Sequence, residues 1–392
     1  MDDRTQERVA SLATVYGTAL LAGLSVVSFP ASAGVLKERL QLSDAQYGTL
    51  FLPQLALTLL GSLFGARWRS QSLHVLRGAL VAFLLAEIAL WSSARLAVYG
   101  LVLFGTGAVG LGFGLAAGPL NSLPGLLAPK HQESALVALH TVMGAGFTLG
   151  PLAVGVLSSG GHWALAPWLV AGALVLAVLL SLFARVSPGA QSARARAARP
   201  WRFVAIALLY ALAEGTFSNW TTVYLLEERR LDVGTATLAL SAFWAALVLG
   251  RLLMSWLLLY VAPTWIWRAL PCAMALAFCS LPAVRSATGA LFAFGLAGLA
   301  CSAFFPLTVA RAAAASSADA VAGPLTAALM LGAGVASFAV GPLRSILSLA
   351  QIYALSAAWP LAAAALVFTA RRAQPSAASS RSPARGSAAG LG

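Results

Sequence analysis

The chain has 392 residues, 60% of them hydrophobic and only 9% charged, with a formal net charge of +13. Soluble domains carry about 25% charged residues, so the composition excludes an ordinary water-soluble globule and describes a chain built for lipid. The basic excess lies in loops between apolar runs, which assigns it to the membrane surface and argues against nucleic acid as a partner.

Twelve stretches approach the roughly 20 apolar residues that a helix needs to cross a bilayer. In order they are 9–33, 47–66, 76–94, 97–127, 134–158, 163–185, 203–226, 235–260, 266–284, 288–311, 324–346 and 349–370. The expected fold class is an all-α membrane protein with twelve transmembrane helices in two six-helix bundles. Residues 1–186 are read as the first bundle, 187–201 as a basic cytoplasmic linker, 202–372 as the second bundle and 373–392 as a disordered cytoplasmic tail. The fourth stretch is too long to lie straight in a membrane, and Pro119 and Pro124 predict a kink in it. The linker sequence Ser187–Pro200 has no acid, which suits contact with anionic lipid. The first residues of the chain, MDDRTQER, mix both signs of charge ahead of a run long enough to span, so a cleavable signal is not expected.

With the N-terminus placed in the cytoplasm, 18 of the 25 basic residues fall inside and 7 outside. That asymmetry, with an even number of helices, predicts a multi-pass plasma (inner) membrane protein with both termini cytoplasmic. Tryptophans near the helix ends, Trp68, Trp163, Trp201 and Trp265 among them, suit interfacial belts.

Few other chemistries fit. Cys272, Cys279 and Cys301 all lie in apolar runs, which argues against a disulfide framework. No zinc spacing or Walker loop occurs, and no paired nucleophile and base. Neither an enzyme nor a metal or cofactor site is expected. Gly110, Gly112 and Gly114 superficially resemble a nucleotide fingerprint, but they sit inside an apolar helix, where close helix packing is the reading.

The seventh stretch carries a carboxylate, Glu214, near its middle. A charge at that depth costs on the order of 3 kcal/mol, so such a residue usually faces a wet cavity or a partner. At helical spacing Tyr210, Glu214, Ser218 and Thr221 share one face. Trp220 and Tyr224, close to Glu214, are candidates to stack on a solute. The bland alternative is an acid satisfied by a neighbouring helix.

The two halves resemble each other at a nearly constant offset. Leu36–Leu42 parallels Leu226–Asp232, Gly61 parallels Gly250, and Gly144-Ala-Gly146 parallels Gly332-Ala-Gly334. Each glycine pair leads to a Gly-Pro, Gly150-Pro151 and Gly341-Pro342. Six helices repeated in one orientation make two bundles related by an axis along the membrane normal, with a solute site near the midplane between them.

On these residues the chain resembles a major facilitator superfamily transporter, over all twelve helices and the linker. Within the superfamily it is most similar to the fucose:proton-symporter-like group. The residues that carry this are Ala213-Glu-Gly215 through Trp220 to Tyr224, Phe243-Trp244 with Gly250-Arg251-Leu-Leu253, Leu139-His140 before Gly144-Ala-Gly146, Phe304-Phe-Pro306, and Gly112-Phe-Gly114 through Asn121. The resemblance implies alternating access, a small polar solute such as a sugar, and proton-coupled uptake by a monomer in contact with membrane lipid. Proton-antiport efflux of amphipathic compounds, or a non-transporting membrane protein on the same fold, are the alternatives.

It also implies roles for residues. Glu214, His140 and Glu87 are the proton-coupling candidates, Glu87 being equally readable as a structural hydrogen-bonding group. Asn121, Tyr210, Ser218, Trp220 and Tyr224 are the substrate-binding candidates. Arg67, Arg69 and Arg251 are expected at gates, and Gly146, Pro151, Gly334 and Pro342 at close-packed or hinging positions. Where relatives often carry an acid four residues before Asn121, this chain has Ala117.

Overall fold

The computed structural model describes residues 3–68, 71–128, 132–185, 201–315 and 318–369. Arg69, the tail expected over 373–392 and all of the expected linker but Trp201 lie outside them. The described residues form helices and turns, with no strand among them. Among the described residues, eleven helices are long and apolar enough to cross a membrane: Val9–Ala31, Asp44–Arg67, Ser72–Leu96, Tyr99–Pro124, Ser134–Ser159, Trp201–Glu228, Val233–Leu257, Pro263–Ala283, Ala287–Ala315, Gly323–Leu343 and Leu349–Phe368. Between the fifth and sixth of these lies a shorter apolar helix, Leu165–Ser181. Its 17 residues rise about 25 Å, close to the hydrocarbon thickness of a bilayer. These twelve are numbered here as spans 1 to 12 in chain order.

Three spans are broken where the sequence pattern showed none. Span 2 divides into Asp44–Thr49 and Phe51–Arg67, span 10 into Ala287–Cys301 and Phe304–Ala315, and span 12 into Leu349–Ser356 and Ala358–Phe368. Each break comes just ahead of a proline, Pro53, Pro306 or Pro360. Proline brings no N–H and crowds the carbonyl four residues back. The carbonyls of Thr49, Ser302 and Ser356 therefore have no helical donor. In span 4 the helix runs unbroken from Tyr99 to Leu127 with Pro119 and Pro124 inside it. A short helix, Ala33–Leu40, follows span 1; eight residues are too few for a hydropathy window to register. Trp163 is no belt residue: it is buried, and its Nε1 donates to Ser32 Oγ at 3.0 Å.

The packing is that of two bundles. In the first half, span 2 lies on span 4, span 1 on span 5, and span 3 on spans 4 and 6. In the second, span 7 lies on span 11, span 8 on span 10, and span 9 on spans 10 and 12. The halves meet where span 5 packs on span 8 and span 2 on span 11. Exchanging each span for its counterpart six places on maps one of these seams onto the other.

Close approach of backbones is what the glycines supply. A Cβ at Gly110 would run into the carbonyl oxygen of Gln54, one at Gly114 into that of Thr58, and one at Gly112 against Phe83. The apparent nucleotide fingerprint is thus a helix-packing surface that seats span 4 on spans 2 and 3.

Candidate functional site

A cavity of about 3100 Å³ lies between the halves. Its lining reaches Arg67, Gln71, Ser72 and Arg185, on the face where the chain enters span 1 and leaves span 12. It ends inward at Val27, Pro30, Phe51, Asn219 and Ser337. The opposite face is closed by ions. Lys37 pairs with Asp44 and Glu227; Arg344 reaches Asp44 at 2.9 Å, Glu228 at 2.8 Å and Glu227 at 3.9 Å. Glu228 also accepts from the backbone N–H groups of Leu349 and of Ala350, the latter at 2.9 Å, where the N-terminus of span 12 favours negative charge. This network ties spans 2, 7 and 11, so the solute path is open on one face and shut on the other.

Span 7 supplies the polar wall. Tyr210, Glu214, Ser218 and Asn219 all line the cavity. Thr221, on the same expected stripe, is buried and bonds back to the carbonyl of Phe217 within its own helix. Tyr210 Oη donates to the carbonyl of Cys301 at 3.2 Å. Across from it, Arg251 of span 8 lines the cavity, and its Nε donates to the carbonyl of Ser302 at 3.2 Å. The Ser302 carbonyl is available because Pro306 cannot donate to it. The break in span 10 therefore has a consequence for the site, since it holds Arg251 over the cavity. Arg251 lies within electrostatic reach of Glu214 and Tyr210 on span 7 and of His140 on span 5. No ion pair within bonding distance joins Arg251 to Glu214 among the described residues.

Of the other candidates, His140, Asn121, Arg67 and Gly334 line the cavity. Asn121 uses its Nδ2 on the carbonyl of Ala117 at 2.7 Å, which leaves its amide oxygen for the cavity. Arg251, read from sequence as a gate residue at the end of its helix, stands on the cavity wall beside Glu214.

Trp220 and Tyr224 do not line the cavity. Trp220 is buried on the closed side, with Nε1 donating to the Ser337 carbonyl at 2.9 Å and its ring edge-on to Tyr47 at 5.0 Å. Tyr224 begins a widened π-helical turn, Tyr224–Glu228. Its hydroxyl donates to Leu281 O at 2.6 Å and accepts from Arg229 Nε at 2.7 Å. Both rings are therefore packing elements of the sealed end, since 200° of helical turn separates Trp220 from Ser218. Glu87 is buried inside the first bundle, accepting from Ser28 Oγ at 2.9 Å, with its second oxygen unpartnered. Gly146, Pro151 and Pro342 are also off the cavity wall.

Several lining residues escaped the sequence reading. Asn219 bonds Ser337 Oγ at 2.6 Å, joining spans 7 and 11; a polar residue next to Ser218 in an apolar run was the available signal. Phe147 of span 5 stacks on Trp244 of span 8 at 4.5 Å, across the seam between the halves. Nothing in the local sequence marks that pairing.

With this geometry in view, the model of the Major Facilitator Superfamily matches residues 15–323. The chain belongs to the Major Facilitator Superfamily. No curated protein sequence matches it. Among solved structures it is similar to a bacterial homologue of the human lysosomal transporter Spinster, in inward-facing occupied and unoccupied forms. Each has a TM-score of 0.75 at 17% identity, over 92% of this chain and 96% of that one. It is also similar to a variant of the nucleoside transporter NupG, with a TM-score of 0.73 at 13% identity, over 91% of this chain and 98% of that one. At such identities the likeness is one of fold. As a superfamily member the chain is a multi-pass membrane transporter for a small molecule and not an enzyme.

Proposed function

We propose that this superfamily member takes up a small polar solute by alternating access coupled to protons, with Glu214 as the coupling carboxylate. The observation that carries this reading is Glu214 on the cavity wall, between Tyr210 and Ser218 and within the field of Arg251. A carboxylate placed there meets both solute and solvent from the open face and can carry a proton between the two states of the cycle. The cavity wall supports a polar solute and does not single out a sugar. The fucose-symporter-like motifs remain a resemblance that favours uptake. His140 stands where it can assist; Glu87 does not, being enclosed in the first bundle.

The same reading puts the open face in the cytoplasm, because the basic residues collect on the termini face, and the family resemblance favours a monomer in the inner membrane. Two measurements test it. In proteoliposomes, counterflow of a solute found by thermal-shift screening establishes transport, and the direction of accumulation under an imposed pH gradient separates uptake from efflux. In intact cells, cysteines at Ser192 and Ser387, both outside the described residues, stay shielded from an impermeant reagent while one at Ser43 reacts. Labelling at Ser192 with none at Ser43 inverts the topology.

A further inference from the structure

The cavity wall is unequal in charge. Glu214 is the one acid among the described lining residues, against Arg251 and His140 at its level and Arg67, Arg77 and Arg185 toward the mouth. Two of the mouth arginines are engaged. Arg77 Nη2 donates to the Ser181 carbonyl at 2.6 Å, and Arg185 pairs with Glu7 at 2.8 Å. Arg67 is exposed at the rim.

Arg251 is different. It is half-buried, it uses only Nε on the Ser302 carbonyl, and its two terminal nitrogens have no partner among the described residues. About two helical turns earlier on the same span, Trp244 also lines the cavity; its buried Nε1 has no acceptor among the described residues, and its ring forms an aromatic shelf with Phe147. A buried donor without an acceptor costs free energy, and Arg251, although Glu214 lies within its field, has no carboxylate within bonding distance of its guanidinium among the described residues. A guanidinium fork matches a carboxylate or phosphate in bidentate fashion. A guanidinium with free terminal nitrogens and an aromatic shelf on the same cavity wall describe the complement of an amphipathic anion.

Resting on the reading of the cavity as a solute path, we propose that the solute is an organic anion with an apolar body. Its carboxylate or phosphate is held by Arg251, its body lies on Phe147 and Trp244, and it travels with a proton carried by Glu214. The charged and titratable groups facing Glu214 are Tyr210 on its own span, Arg251 on span 8 and Cys301 on span 10, with His140 of span 5 facing Arg251. The lining residues of spans 1, 2 and 11 at that level, such as Val26, Gln54, Thr58 and Ser337, are uncharged. In the empty site Arg251 is the counter-charge of Glu214. An oxyanion seated on Arg251 cancels that charge, so Glu214 holds a proton while the anion is bound and releases it when the anion leaves. For a carboxylate, one negative charge and one proton cross together and the cycle moves no net charge; a phosphate monoester, at about −2 near neutral pH, carries one negative charge beyond the proton.

The test uses the purified full chain and two probe pairs: 2-naphthoate with neutral 2-naphthamide, and 1-naphthyl phosphate with neutral 1-naphthol. Calorimetric titration is expected to show at least one anion binding about tenfold or more tightly than its neutral partner. Arg251→Gln abolishes that preference, and Arg251→Lys recovers part of it. Each variant is first required to elute as a single folded species, and the lysine variant keeps the test open if the glutamine variant does not. In proteoliposomes 2-naphthoate, where it is the anion bound, accumulates under an inward proton gradient and ignores an imposed potassium-diffusion potential, whereas 1-naphthyl phosphate accumulates under the same gradient with the potential response of one uncompensated negative charge. Equal affinity for neutral partners, no binding by either anion, or an unchanged preference in Arg251→Gln overturns the anion assignment. Accumulation of 2-naphthoate that follows the potential, or of 1-naphthyl phosphate that responds to it as more than one charge, overturns the accompanying proton. Anion binding without counterflow leaves the anion site standing and sinks the transport reading, whereas pH-driven movement of a neutral solute does the reverse.

Discussion

Arg344 of span 11 and Asp44 of span 2 join the two bundles on the face away from the termini, Nε to Oδ2 at 2.9 Å. The same guanidinium holds Glu228 at 2.8 Å, so spans 2, 7 and 11 converge on one cation. Lys37 adds a second cation by pairing with Asp44 and Glu227. Alternating access requires these contacts to part each time the closed face opens. Arg344 and Asp44 keep 17% and 20% of their side-chain surface exposed, which discounts their coupling to about 1–2 kcal/mol, roughly a tenfold change in the balance of states. Asp44→Asn is therefore expected to raise the population open on this face. Spin labels at Glu38 and Ser345, both exposed on that face, would show a longer-distance population in the variant. An unchanged distance distribution would mean that the ion network does not hold the face shut.

The sequence made the spans legible because hydropathy registers any 20-residue apolar run. It also exposed the polar stripe of span 7, because a helix places Tyr210, Glu214 and Ser218 on one face whatever surrounds it. It could not tell which rings near that stripe turn toward the cavity. Trp220 and Tyr224 turn away, because the sealed end needs large side chains to fill it. Arg344 and Asp44 are 300 residues apart in sequence, and no local pattern pairs them. The seat of Arg251 depends on a carbonyl freed by Pro306 in another span. Its ingredients, Gly250-Arg251 and Phe304-Phe-Pro306, were visible, but their meeting is tertiary.

The Gly-Ala-Gly repeat makes a second test, because its glycines have exchanged partners. Gly146 packs on span 1 within its own bundle, against the Leu20 carbonyl and Gly23. In span 11 that inward role falls to Gly332, against Leu208 and Ala211 of span 7. Gly334 instead faces the other bundle, where an added Cβ would stand 2.8 Å from Leu55 Cβ. Both Gly146→Leu and Gly334→Leu should impair transport, for different reasons. Overpacking at Gly146 strains the bundle itself by about 1–3 kcal/mol and lowers the melting temperature in detergent. Gly334→Leu strains only the seam and leaves the melting temperature close to wild type. Wild-type transport in both variants would show the glycines to be incidental.

Glu87 offers a contrast with Glu214. It accepts from Ser28 at 2.9 Å inside the first bundle, and its other oxygen has no partner. Gln in its place keeps the shape and an acceptor for Ser28, so Glu87→Gln should change stability by no more than about 1 kcal/mol and leave pH-driven transport largely intact. Glu87→Ala removes the acceptor and opens a void, at a cost of about 2–4 kcal/mol. Thermal unfolding in detergent separates the two. Loss of proton-driven accumulation in a stable Glu87→Gln protein would bring this carboxylate into the coupling mechanism.

The decisive variant is Glu214→Gln. Glutamine fits the same half-buried place between Tyr210 and Ser218 and keeps hydrogen-bonding capacity, but it cannot take up and release a proton. On the proposed reading, with Ala117 standing where the group the chain resembles often has an acid, proton handling falls to Glu214, with His140 and Arg251 on the same cavity wall. Exchange of solute across the membrane moves no net proton, so counterflow should survive in Glu214→Gln while accumulation against a gradient at imposed pH is lost. Parallel measurement of both in proteoliposomes distinguishes three cases. Loss of accumulation with counterflow kept assigns coupling to Glu214. Loss of both, in a protein that still elutes as a single species, makes Glu214 a solute contact. Full pH-driven accumulation in the variant removes it from coupling and leaves His140, the histidine nearest Arg251 on the cavity wall, to test next.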